Sequence, residues 1–126
     1  MTPQFTQTIP VLRIFDEAKA REFYLGFLGM SWDWEYRSDP DAPIFAQVSR
    51  GPLVLFLSEH FGDGTPGTQL ILRMTGLEAL HAELTAKNYR HAHPDLVEQS
   101  WGWRDMAIAD PFGNRLVFTQ RIEECA

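Results

Sequence analysis

The stretch LFLSEHFGDG, residues 55–64, runs from apolar side chains into a carboxylate, an imidazole and a glycine turn. Glu59 and His60 are residue types that coordinate divalent metals or exchange protons, so the pair is a candidate metal or acid–base site at a strand end. The same pair is also what a solvated strand end presents, because turns collect polar residues. His91 and His93, in RHAHP, have the i, i+2 spacing that sets both imidazoles on one side of a strand. Two nitrogens with no carboxylate beside them do not complete a metal site. His81, four residues after Leu77, falls at the edge of a helical stripe. Arg104 offers a guanidinium to a ligand carboxylate or phosphate, and equally to a neighbouring acid. Asp110-Pro111-Phe112-Gly113-Asn114 reads as a hairpin turn, since Pro fixes φ and Gly accepts positive φ. GDGTPG, residues 62–67, lacks the preceding strand and following helix of a phosphate loop. No Ser-His-Asp or Cys-His arrangement can be argued, and Cys125 is next to last in the sequence.

The elements that position these residues must come from one modest chain. Its 126 residues, 44% hydrophobic and 13% aromatic, suffice for a core. A single cysteine rules out an intrachain disulfide and a thiolate metal cluster. No run approaches 18 apolar residues, and MTPQFTQTIP has neither the basic nor the apolar part of a signal sequence, so a soluble, cytoplasmic protein without membrane contact is expected. Eleven Lys and Arg against 17 Asp and Glu give a net charge of −6, which opposes nucleic-acid binding and weakly favours a cationic small molecule.

An internal duplication sets the plan. Val11-Leu12-Arg13-Ile14 recurs 60 residues later as Ile71-Leu72-Arg73-Met74, and a helical pattern follows each copy. In the first, Asp16 is placed to cap, Ala20, Phe23, Tyr24, Phe27 and Leu28 form the stripe, and Gly29 ends it. In the second, Leu77, Leu80 and Leu84 form the stripe and Lys87-Asn88 closes it. Strands are predicted at 31–37, 44–49 and 52–58, then at 89–93, 104–109 and 114–120. The fold class is therefore α+β: two paired β-α-β-β-β modules, about 5–60 and 67–121, joined by a linker at 61–67 within a single domain spanning 1–126. Curled toward each other, the sheets would form a concave cup.

IPVLRIFDEAKAREFYLGFLGM (9–30) and QSWGWRDMAIADPFGNRLVF (99–118) together resemble the vicinal oxygen chelate superfamily, and within it the glyoxalase and bleomycin resistance protein family. The resemblance spans about residues 8–120 and rests on F-Y-x-x-F-L-G and D-P-x-G-N in order. It implies paired modules, usually a homodimer, and ligand sites in the cups that are often completed by the partner chain. Metalloenzyme members place His, Gln or Glu at one inward position in each of four strands. Those positions align here with Ile9, Phe56, Gln69 and Val117. Three of the four have no lone pair for a metal, so neither a metal nor another cofactor is expected. In the drug-binding branch, aromatic residues after the first helix and a Trp in a W-G turn contact the ligand, features matched by Trp34 and Trp101.

The expected function is thus a metal-free binding protein resembling bleomycin resistance proteins, which sequesters an aromatic, cationic, antibiotic-like ligand in an apolar cup. Its expected contacts are Trp32, Trp34, Phe45, Phe56, His60, Trp101, Trp103 and Arg104, with no catalytic residue. Trp32 is included because it shares strand parity with Trp34. The alternative is a glyoxalase-type lyase or dioxygenase with metal held by Glu59, His60 and Gln69. A metal-free lyase or isomerase using Glu59 or a Tyr as base is a third reading.

Overall fold

Each half of the chain begins with a short strand that pairs in parallel with the last strand of its own module. The computed structural model describes residues 2–122. In the first module, β1 (Val11–Arg13) lies beside β4 (Leu53–Ser58), with β3 (Phe45–Arg50) and β2 (Ser31–Tyr36) following antiparallel, giving the order β1-β4-β3-β2. The second module repeats this with β5 (Gln69–Arg73), β8 (Arg115–Arg121), β7 (Trp103–Ala109) and β6 (Val97–Glu98). A parallel pair needs a crossover, and a helix supplies it in each half.

Helix α1 (Glu17–Arg21) starts at Asp16, whose side chain accepts from the Lys19 amide at 3.0 Å. The helix continues as a wider π-wound segment, Glu22–Phe27, and Gly29 at φ +70° ends it. The stripe expected for it is buried: Ala20, Phe23, Tyr24, Phe27 and Leu28. Helix α2 (Leu77–Ala86) buries Leu77, Leu80 and Leu84, and its first amide donates to Gln120 Oε1 on β8 at 2.8 Å in place of a capping side chain. Lys87 and then Asn88, at φ 50°, close it as the sequence suggested.

The helix-facing sides of both sheets and both helices share one core, from Leu12, Ile44, Leu55 and Leu57 to Met106, Ile108, Leu116 and Phe118. The opposite sheet faces stay open within the chain, with Tyr36 63% and Ile71 57% exposed. Between the modules the 61–67 connection presses on β1: a Cβ on Gly64 (φ +68°) would stand 2.7 Å from the Val11 carbonyl oxygen, so only glycine fits there.

One expected strand is displaced. Residues 89–93 form turns, and the pairing falls instead at Val97–Glu98. Pro94 has no N–H to give a ladder, and Tyr89 turns inward to stack on Phe27 at 4.9 Å. His91 and His93 consequently share no strand face, and His91 stands edge-on to Tyr89 instead. His81, at the stripe's edge, contacts the Pro94 carbonyl at 3.0 Å.

The two modules are tied by the Asp110 carboxylate. Tyr24 Oη donates to Oδ2 at 2.6 Å, Asn114 Nδ2 to the same oxygen at 2.9 Å, and the amides of Phe112 and Asn114 to Oδ1. Burial, followed by the adjacent carboxylate's charge, pushes the Tyr24 phenol well above its ordinary value near 10. Unfolded chain loses this proton near pH 10 while folded chain keeps it, so the contribution is intact below pH 10 and is lost as pH rises above it. Thermal unfolding followed from pH 9 to 11 should show a steeper decline for the native chain than for Tyr24→Phe. Parallel declines would contradict this.

Candidate functional site

On the open face of the first sheet, parity places Val11 on β1, Val54 and Phe56 on β4, Phe45 and Gln47 on β3, and Trp34 and Tyr36 on β2 in adjacent rows. Three of these rings converge. Phe45 and Phe56 meet at 5.1 Å between centroids, Trp34 lies 5.5 Å from Phe56, and Trp34 stacks on Phe45 at 6.1 Å with an 18° tilt between planes. The His60 ring borders the group, 6.5 Å from Phe45. Trp34 is still 42% exposed, so the cluster presents an aromatic surface and is not sealed as core.

Trp32 is not part of it. Trp32 pairs with Val48 and Trp34 with Gln47, so Asp33 is an extra residue, a β-bulge that reverses the alternation between the two tryptophans. Trp32 therefore points to the helix side, where the Arg21 guanidinium covers its ring at 4.0 Å and its indole N–H donates to Glu35 Oε1 at 3.2 Å. Strand parity, which grouped Trp32 with Trp34 in the sequence, fails at that one residue.

Arg104 is likewise on the helix side. It donates to Glu78 of α2 at 2.6 Å and to Glu98 of β6 at 2.7 Å, two carboxylates that use its charge. Both acids pair with Arg104, on the side of the sheet away from the aromatic group. Trp103 occupies the open face of the second sheet beneath the Arg73 guanidinium, 4.7 Å from the ring centroid. Trp101 stands 67% exposed in the turn before β7. Of the eight expected contacts, Trp34, Phe45, Phe56 and His60 come together, Trp103 lies on the second sheet with Trp101 in the turn before it, and Trp32 and Arg104 face away.

Three neighbours of the aromatic group were missed. Tyr36 lies opposite Phe45, and the Asp33 carboxylate accepts from Gln47 Nε2 at 2.9 Å at the rim. Hydrogen bonds from Gln47 and then Ser49 hold the Asp33 carboxyl below its usual range, so it is a fixed negative charge beside the rings at neutral pH. Alternation from Trp34 forward would have found Tyr36; Asp33 carries no sequence signal for its bulge.

The residues at the four metal positions do not fit an ion. Ile9, Phe56 and Val117 have no donor, and Gln69 Oε1 already accepts from Arg115 at 2.9 Å. Glu59 is turned to the Ile44 amide at 3.0 Å and lies 3.8 Å from Arg37, separate from the His60 ring against Phe45. Among the described residues, no three His, Cys, Asp or Glu side chains are grouped to hold a metal. Cys125 lies outside the described residues. No described helix is long and apolar enough to cross a membrane.

Two four-stranded mixed sheets, each with a parallel outer strand and one crossover helix, with an open face lined by aromatic residues, define the class of paired β-α-β-β-β proteins. The chain belongs to the glyoxalase superfamily, whose family model matches residues 2–124. Among solved structures, it resembles a glyoxalase-related enzyme from Clostridium phytofermentans at 22% identity, with a TM-score of 0.77 over 95% of this chain and 98% of the other. It also resembles the bleomycin-binding protein of bleomycin-producing Streptomyces verticillus, solved with copper(II)-bleomycin, at 28% identity and a TM-score of 0.69, over 98% and 100% of the chains. An antibiotic-binding protein of Streptomyces sp. CB03234 is similar at 22% identity and a TM-score of 0.73, over 96% and 98%. No curated protein matches.

An exposed aromatic group should matter little to stability. Trp34→Ala is expected to cost about 1 kcal/mol in urea unfolding, against about 4 kcal/mol for Phe23→Ala in the core. Equal losses would make the cluster structural.

Proposed function

We propose that this protein is a metal-free small-molecule binder that sequesters an aromatic, cationic, antibiotic-like ligand, with a flat portion lying against Trp34, Phe45 and Phe56. The observation that carries the reading is the partly exposed aromatic group at and around Phe56, where metalloenzymes of the superfamily would need a coordinating atom. Rings present negative π faces, and the Asp33 carboxylate stands at their edge, so a planar cation gains both stacking and charge attraction there. Each cation–π contact is worth about 0.5–2 kcal/mol. The 28% identity to a bleomycin-binding protein adds support for this ligand class.

His60 would orient the ligand from the edge of the group, and Trp101 and Trp103 would reach it from the second sheet of a partner. The open sheet faces, with Tyr36 and Ile71 more than half exposed, favour a homodimer in which a face of one copy covers a face of the other. A cytoplasmic location suits a protein that intercepts a drug before its target.

Titrating bleomycin against tryptophan fluorescence should give saturable binding with Kd below about 100 μM, weakened at least about tenfold by Trp34→Ala. Absence of saturation would remove this drug class.

A separate measurement addresses the metal. Thermal midpoints should be unmoved by added Zn²⁺, Ni²⁺, Mn²⁺ or Fe²⁺, since an ion bound only by the native state would raise them. A clear stabilisation by any of these would favour the lyase or dioxygenase reading.

A further inference from the structure

The aromatic group on the first sheet lies between two charges of opposite sign. The sheet runs β1-β4-β3-β2, so β1 and β2 are its edges, three strand spacings or about 14 Å apart. Asp33 stands at the β2 edge, its carboxylate tied to Gln47 at 2.9 Å. Arg13 stands at the β1 edge, in register with Ser58 of β4, which in turn pairs with Phe45 of β3. Its neighbour Leu12 points into the core, so Arg13 falls on the open face that carries Phe45, Phe56 and Trp34.

Arg13 is a partly buried cation without a counter-ion. Among the described residues, no carboxylate lies within ion-pair distance of it. Ser58, opposite Arg13, donates to the Asp63 carboxylate at 2.9 Å, and that acid makes no ion pair with Arg13. The guanidinium instead lies 4.8 Å from the Phe15 ring and 6.0 Å from the Phe61 ring, which attract its charge but offer no acceptor oxygen. Its Nε is buried and donates to nothing, so part of the group has given up water without gaining a hydrogen bond. Phe61 is 97% exposed and free to swing clear of the guanidinium. An oxyanion arriving there would meet a planar fork of N–H donors, and the rings beside it exclude water from the contact.

We propose that the open face of the first sheet selects a zwitterionic aromatic ligand, its ring on Trp34, Phe45 and Phe56, its cation toward Asp33 and an acidic group on Arg13. This rests on the binding reading above and adds to it the acid, which makes Arg13 the residue that separates zwitterions from simple cations.

The test uses rhodamine B, a flat xanthene cation that also carries one carboxylate, and its ethyl ester, which keeps the cation and loses the acid. In titrations of the full chain followed by fluorescence anisotropy, rhodamine B should saturate at least about tenfold more tightly than the ester, within reach of one charge-assisted contact. Arg13→Gln should weaken rhodamine B about tenfold and leave the ester unchanged, and Arg13→Lys, which keeps the charge without the fork, should restore part of the preference. Asp33→Asn should weaken both dyes. The comparison of acid and ester on the native chain stands whether or not the variants fold. Equal binding of acid and ester, or a preference that survives Arg13→Gln, would overturn the proposal. If Trp34→Ala still weakened both dyes in that case, the aromatic binding reading would stand without it, whereas saturation by neither dye would remove both.

Discussion

Asp110 receives four hydrogen bonds, from the phenol of Tyr24, the amide side chain of Asn114 and two backbone amides of its own turn, while only 6% exposed. Asn114 also donates to the Arg13 carbonyl at 3.0 Å, so the turn between β7 and β8 holds the first helix and the first strand of the other module together. A buried carboxylate is tolerable only with its lone pairs engaged. Here the groups engaging it come from two separate parts of the chain, the first helix and the turn between β7 and β8. This one anion fastens the first module's helix to the second module's turn, on top of the core the two modules share.

A second set of contacts closes the C-terminal end of the same helix, just beyond Tyr24. Lys87 donates to the carbonyls of Gly26 and Phe27, and Arg50 to that of Leu28. These are the carbonyls that a helix end leaves without partners, and cations there also meet the negative end of the helix dipole. Lys87 belongs to the second module and Arg50 to the first, so the helix end is held from both sides. The helices and one face of each sheet are consumed in building the molecule, which leaves the other sheet faces for ligands or partners.

Most of the architecture could be read in the sequence because it is governed by local rules. Asp16 caps where a capping residue precedes an apolar stripe, and the stripes of both helices are the buried ones. The recurrence of Val11-Leu12-Arg13-Ile14 marked two modules because equivalent outer strands need equivalent residues. What escaped was non-local or fell at irregularities. The Asp110 turn was recognised as a turn, yet nothing nearby reveals that its carboxylate is met by Tyr24, 86 positions away. The strand expected at 89–93 gave way to Tyr89 packing on Phe27, and Arg104 found one acid on the second helix, 26 positions away, and the other directly opposite it across its own hairpin. Of the aromatic group, resemblance points to Phe56 and Trp34 and residue type to Phe45, whereas Asp33, Gln47 and Tyr36 need the register.

The bulge at Asp33 has an evolutionary consequence. Two tryptophans separated by one residue would ordinarily share a fate, but the inserted position gives one to the arginine-covered helix side and the other to the open face. Loss of the Asp33 codon would regularise the strand and leave each indole on its present face, so the extra residue adds a carboxylate at the rim without reassigning either tryptophan. An ungapped comparison with a chain that lacks the insertion would shift every residue upstream of it by one and so match inward positions with outward ones.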